Sequence, residues 1–143
     1  MKFDNFMVLE FPSKAANEAF ARSAVACFAA QMDPTLEELG DIRTAVSEAV
    51  TNSIVHAYPD QYGIITLRCR VLKDHVLDIV IKDKGVGIED LEKARRPMFT
   101  TGGDDRSGMG FTIMESFMTE LDVSSAPGKG TVVHMRRKLQ QRK

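Results

Sequence analysis

Hydrophobic positions along the chain follow two periods, and the switches between them outline the elements. Residues 6–11, Phe-Met-Val-Leu-Glu-Phe, have the composition of a strand and stop at Pro12-Ser13. Ser13 predicts the N-cap of a helix running to about Met32. On that helix Ala16, Phe20, Ala24, Cys27 and Phe28 share one face, and Arg22 points nearly the opposite way. Asp33-Pro34-Thr35 breaks the first helix and starts a second, which ends near Tyr58-Pro59. Ile42, Val46, Ala49, Val50, Ser53 and Ala57 form a stripe along it that predicts packing onto a core.

Two alternating runs come next: Ile65, Leu67, Cys69 and Val71, then Leu77, Ile79 and Ile81, with Lys73-Asp74 at the turn between them. One further step of the second alternation puts Asp83 on the core face beside Ile81. A carboxylate there is costly unless donors meet it, so the pattern predicts donors to Asp83. After Gly85 and Gly87 comes a short helical piece over residues 90–95. Residues 97–107 lack any hydrophobic period and predict a mobile loop long enough to act as a lid. Gly108-Met109-Gly110 opens a helix with a buried stripe of Phe111, Met114, Phe117, Met118 and Leu121. Strands at about 121–125 and 131–137 flank the turn Pro127-Gly128-Lys129-Gly130. The expected architecture is one domain over residues 1–143, an α/β two-layer sandwich with helices on one face of a mixed, mostly antiparallel sheet.

Composition changes this picture little. The 143 residues suffice for one domain, and 43% hydrophobic with 27% charged residues is ordinary for a globular protein. Cys27 and Cys69 both fall on predicted apolar faces and read as buried thiols in a reducing compartment. The opening residues lack the apolar core of a signal peptide, and no stretch approaches a membrane span, so a cytoplasmic protein without membrane contact is expected. A net charge of −1, from 19 basic and 20 acidic residues, gives no global field toward nucleic acid, and no direct nucleic-acid partner is expected. The basic run Arg136-Arg137-Lys138 with Arg142-Lys143 reads as a solvated terminus.

Candidate chemistry begins with Glu48 and Asn52, which are four apart and so project from one face of the second helix, at the border of its apolar stripe. Alone they read first as a solvated pair on an amphipathic helix. Asp83-x-Gly85-x-Gly87 after a strand, Gly108-x-Gly110 at a helix start and Gly128-x-Gly130-Thr131 before a strand would each pass singly for tight turns. Together, in this order, the four resemble the Bergerat-type ATP-binding domain of the GHKL superfamily, shared by gyrases, heat-shock chaperones, sensor histidine kinases and mismatch-repair ATPases. Ser47-Glu-Ala-Val-Thr-Asn52, Phe99-Thr100-Thr101 and Arg106-Ser107-Gly-Met-Gly-Phe-Thr-Ile-Met-Glu115 sharpen this to the anti-sigma factor serine kinases. Asn17-Glu18-Ala-Phe-Ala-Arg22 is similar to the first helix of their sporulation branch.

The resemblance implies roles. Asp83 would accept a hydrogen bond from the adenine amino group of ATP or ADP, with Thr131 on the same base and Gly85 and Gly87 letting the backbone approach the nucleotide. Gly108, Met109 and Gly110 would turn helix N-terminal amides toward the phosphates, and Thr100, Thr101 and Ser107 would line the same nucleotide site. Asn52 would ligate Mg²⁺. Glu48 would take the proton from an attacking serine hydroxyl. Arg106 would stabilise charge on the transferring phosphoryl group, or else pair with Asp104 or Asp105 at the surface. Arg22 would dock partners: a sporulation sigma factor, and the anti-anti-sigma factor that the kinase phosphorylates on serine. A homodimer is implied as well. Two alternatives stay open, a nucleotide-sensing anti-sigma module without kinase activity and a relative controlling a general stress sigma factor. His56 reads as a packing residue rather than a phosphoacceptor.

Overall fold

The computed structural model describes residues 3–91 and 110–140. Five strands form one sheet: β1 (Phe3–Pro12), β2 (Ile64–Leu72), β3 (Val76–Asp83), β4 (Glu120–Ala126) and β5 (Gly130–Lys138), in the order β1-β2-β3-β5-β4. All four pairings are antiparallel, so the expected mixed character is absent among the described residues. Helices α1 (Ala16–Ala29), α2 (Leu36–Asn52) and α3 (Gly110–Phe117) share one core with the sheet. Ile42, Leu67, Ile79, Ile81, Met114 and Met135 are buried there. All six positions of the predicted α2 stripe are buried. Thr35 caps this helix in a reciprocal box with Glu38: Glu38 N donates to Thr35 Oγ1 at 3.0 Å and Thr35 N to Glu38 Oε1 at 2.9 Å.

Three expectations at the N-terminal end fail. Ser13 caps nothing: it is buried, and its Oγ accepts from Gly63 N at 3.0 Å, tying the end of β1 to the start of β2. The buried face of α1 is Ala21, Val25 and Ala29, so Phe20 is 55% exposed and Cys27 is exposed, while Cys69 is buried as expected. Helix α1 packs against α2 through this small-residue face, which admits a closer helix approach than a phenyl ring would. Arg136 and Arg137 likewise do not belong to a solvated terminus, because both lie in β5 and form ion pairs on opposite faces of the sheet.

On the sheet face away from the core, Asp78 is fully buried beneath three cationic or polar partners. Arg70 reaches its Oδ2 at 3.0 and 3.1 Å, while Arg136 Nε and His134 Nε2 lie 2.9 and 2.5 Å from its Oδ1. Burial pushes the Asp78 carboxyl up, but the bonds from His134, Arg136 and Arg70 together outweigh it and hold the group below the usual carboxylate range.

Candidate functional site

The last turn of α2 and the segment after it set the site. Beyond Asn52 the backbone widens into a π turn, Ser53–Ala57, a feature that recurs at functional sites. This turn presents the Ala57 carbonyl to Val86 N at 2.8 Å, which draws the segment after β3 against the helix end. Gly85 makes that approach feasible: a Cβ there would stand 2.1 Å from Ala57 O. The glycine expected to admit a nucleotide therefore has a sufficient internal reason for its identity. Gly87 lies in the same segment with φ 77°, facing the Ala126 carbonyl.

Asp83 ends β3 on the core face and is 4% exposed. The predicted donors are present. Ser53 Oγ donates to Oδ2 at 2.8 Å, and the amides of Gly85 and Thr131 donate to Oδ1 at 3.0 and 3.2 Å. A carboxylate offers about four acceptor positions, so three donors leave one for an amino group outside the chain. Thr131 is half-buried, and its Oγ1 lies 2.8 Å from Ser125 Oγ. The same Ser125 Oγ accepts from Ile88 N at 2.8 Å and is 3.0 Å from the Gly130 carbonyl. Tyr58 closes this end, its hydroxyl accepting from Lys84 N at 2.7 Å and donating to the Ile64 carbonyl at 2.8 Å.

At the other end α3 begins against α2. A Cβ at Gly110 would stand 3.2 Å from Asn52 Nδ2, 3.4 Å from Asn52 Oδ1 and 3.6 Å from Glu48 Oε2. Glu48 and Asn52 therefore converge on the first residue of α3, and glycine leaves that space open. Both are half-buried. An amide oxygen, a carboxylate and a helix start together suit a hydrated divalent cation with phosphates, which takes few protein oxygens.

Glu48, Asn52, Asp83, Gly85, Gly87, Gly110 and Thr131 thus gather around the end of α2. Arg22 stands on α1, where it pairs with Glu18 at 3.4 Å. Thr100, Thr101, Arg106, Ser107, Gly108 and Met109, with the expected lid at 97–107, lie outside the described residues. Sequence reasoning missed Ser53, Ser125 and Tyr58 as parts of the site. For Ser53 there was a signal, a hydroxyl at a core position of the α2 stripe, directly after Asn52. His56 is half-buried, in keeping with a packing role.

The family described as histidine kinase-like ATPase domain matches residues 11–137. The anti-sigma F factor of Caldanaerobacter subterraneus subsp. tengcongensis is 58% identical over 136 residues, 94% of each chain. That of Thermoanaerobacter sp. (strain X514) is 55% identical over the same length and coverage. Among solved structures, the RsbU and RsbW domains of Rv1364c from Mycobacterium tuberculosis superpose with a TM-score of 0.72 at 16% identity, over 97% of this chain and 34% of that one. At that identity the last likeness bears on the fold alone.

Proposed function

The chain belongs to the histidine kinase-like ATPase domains and, among them, to the anti-sigma F factors, and from this we propose that it is an ATP-dependent serine kinase that also sequesters a sporulation sigma factor. Residues 1–143 act as one ATP-binding domain of a cytoplasmic homodimer. Arg22 docks the sigma factor and, in competition, a small anti-anti-sigma protein whose serine is the phosphoacceptor. The observation that carries this reading is the approach of Glu48, Asn52 and Gly110 beside the end of α2, with Asp83 and its three donors tied to the same helix end through Ser53.

Each end does separate work. The remaining acceptor position of Asp83 takes the adenine amino group, and Thr131 lies on the same base. Asn52 offers its amide oxygen to Mg²⁺, and Gly108, Met109 and Gly110 turn amides to the phosphates with favourable dipole direction. Mg²⁺, when bound, neutralises phosphate charge and orients the terminal phosphoryl group. Glu48, one helical turn before Asn52, accepts the proton of the incoming serine hydroxyl as its oxygen bonds to phosphorus and ADP departs with the bridging oxygen. Arg106 supplies positive charge for the transferring group. Thr100, Thr101 and Ser107 complete the nucleotide contacts.

Incubation with γ-labelled ATP, Mg²⁺ and the anti-anti-sigma protein tests this directly. Label on a serine of that protein is expected. Nucleotide binding and sigma capture with no transfer would replace the kinase by a nucleotide-sensing binding module.

A further inference from the structure

One side chain ties the end of helix α3 remote from Gly110 to both α2 and β5. Arg137, on the core-facing side of β5, directs Nη1 to the Asp41 carboxylate of α2 at 2.9 Å and to the main-chain carbonyl of Phe117, the last residue of α3. A helix leaves its final carbonyls without partners, and a cation at that end also meets the dipole favourably. The Arg137 and Asp41 side chains are only 19% and 21% exposed, so solvent screens their attraction less than at an open surface.

Neighbouring contacts stiffen the same corner. Thr119 N donates to the Arg136 carbonyl at 2.8 Å, and Lys138 N donates to Thr119 Oγ1 at 2.9 Å, so the chain leaving α3 is stitched to β5. Glu38, on the first turn of α2, accepts from Gln140 N at 2.8 Å. Asp41 precedes Glu48 by two helical turns, about 10 Å along α2, and α3 spans about 12 Å from Phe117 back to Gly110. One guanidinium therefore couples β5, α2 and α3 at the opposite end of the helix pair from the Glu48–Asn52–Gly110 approach. The Asp83 end is built from β3, β5 and the π turn, without α3.

We propose that Arg137 is a positioning residue: by holding the C-terminal end of α3 to Asp41, it sets where the first turn of α3 lies over Asn52 and Glu48, and so governs affinity for the phosphates of the nucleotide and not for its base. This rests on the nucleotide reading of the cleft. An eight-residue helix is not stable by itself, and without the guanidinium α3 loses its side-chain tie to Asp41 while keeping its packing through Phe111 and Met114 and the Thr119 contacts with β5.

The test is Arg137→Met, which keeps an unbranched stem and removes the fork, with Asp41→Asn as a milder companion. Each variant and the wild type are titrated with Mg²⁺-ATP and with adenosine, and amide exchange over residues 111–117 is followed without nucleotide. In Arg137→Met, affinity for ATP should fall by about tenfold or more while that for adenosine stays within about twofold, as loss of a charged donor's hydrogen bonds at the remote end of α3 implies. Exchange over α3 should quicken. Asp41→Asn should shift both readouts less, and Arg137→Lys should recover part of the loss. Equal losses for ATP and adenosine, or unchanged exchange over α3, would overturn the proposal. A wild type that binds neither ligand would instead overturn the nucleotide reading, with the exchange rates still deciding whether Arg137 holds α3.

Discussion

Ser53 Oγ donates to Asp83 Oδ2 at 2.8 Å, joining the first residue past α2 to the last residue of β3. The contact is buried, so the helix that bears Glu48 and Asn52 is held directly to the carboxylate that ends β3. On the proposed reading, base recognition and phosphate chemistry share this one connection.

Breaking that connection has a defined cost. Ser53→Ala leaves a buried carboxylate oxygen without its donor, and stability should fall by about 1–3 kcal/mol in urea denaturation, with weaker ATP binding. Asp83→Asn should fold: the amide oxygen can still accept from Gly85 and Thr131, and the amide nitrogen can donate to the Ser53 hydroxyl. That nitrogen would oppose the adenine amino group, so ATP binding should be lost from a folded protein. An Asp83→Asn variant that binds ATP as the wild type does would remove the base-recognition role.

Glu48→Gln separates binding from transfer. The amide keeps the shape and cannot accept the serine proton, so phosphorylation of the antagonist should slow by about 10²- to 10⁴-fold while ATP affinity holds. An unchanged rate would mean that proton removal occurs elsewhere.

Asp78 sets an acid limb of stability. Its carboxyl titrates below the usual range when folded, so as pH falls the unfolded chain takes up the proton first. The stabilisation is complete above the unfolded value of about 3.9 and is lost as pH drops from there through the lower folded value. Glu38 adds a slope of the same sign: burial pushes it up, but bonds from Thr35 and Gln140, with the Arg137 charge, bring it below its ordinary value. Urea midpoints measured between pH 7 and 3 should fall through that window, and Asp78→Asn should flatten the fall without abolishing it.

The thiols should differ sharply. Burial, aided by the Asp78 charge, pushes Cys69 up to about 12, whereas Cys27 is exposed. A colourimetric thiol reagent at pH 8 should titrate one thiol in the native protein and two in denaturant. Two rapid equivalents in the native state would contradict the burial of Cys69.

What the sequence made legible follows from contrast and distance. The α2 stripe was readable because charged residues such as Glu37, Arg43 and Glu48 interrupt its apolar positions. Helix α1 offered little such contrast, since Ala16, Ala19, Ala21, Ala24, Ala26 and Ala29 leave apolar positions on every side. Its inward face, Ala21, Val25 and Ala29, was decided by packing against α2, which periodicity does not encode. Ser13 failed for a related reason: a local cap was expected, and a residue 50 positions away claimed its hydroxyl. At Asp83 the core-face alternation demanded donors, and the chain supplied three; two are backbone amides, which no side-chain pattern announces.

The nucleotide cleft itself is tested most directly by calorimetric titration of the purified protein with ATP and ADP, with and without Mg²⁺. Saturable binding that depends on Mg²⁺, and loses that dependence in Asn52→Ala, is expected. No Mg²⁺-dependent uptake of either nucleotide would contradict the site.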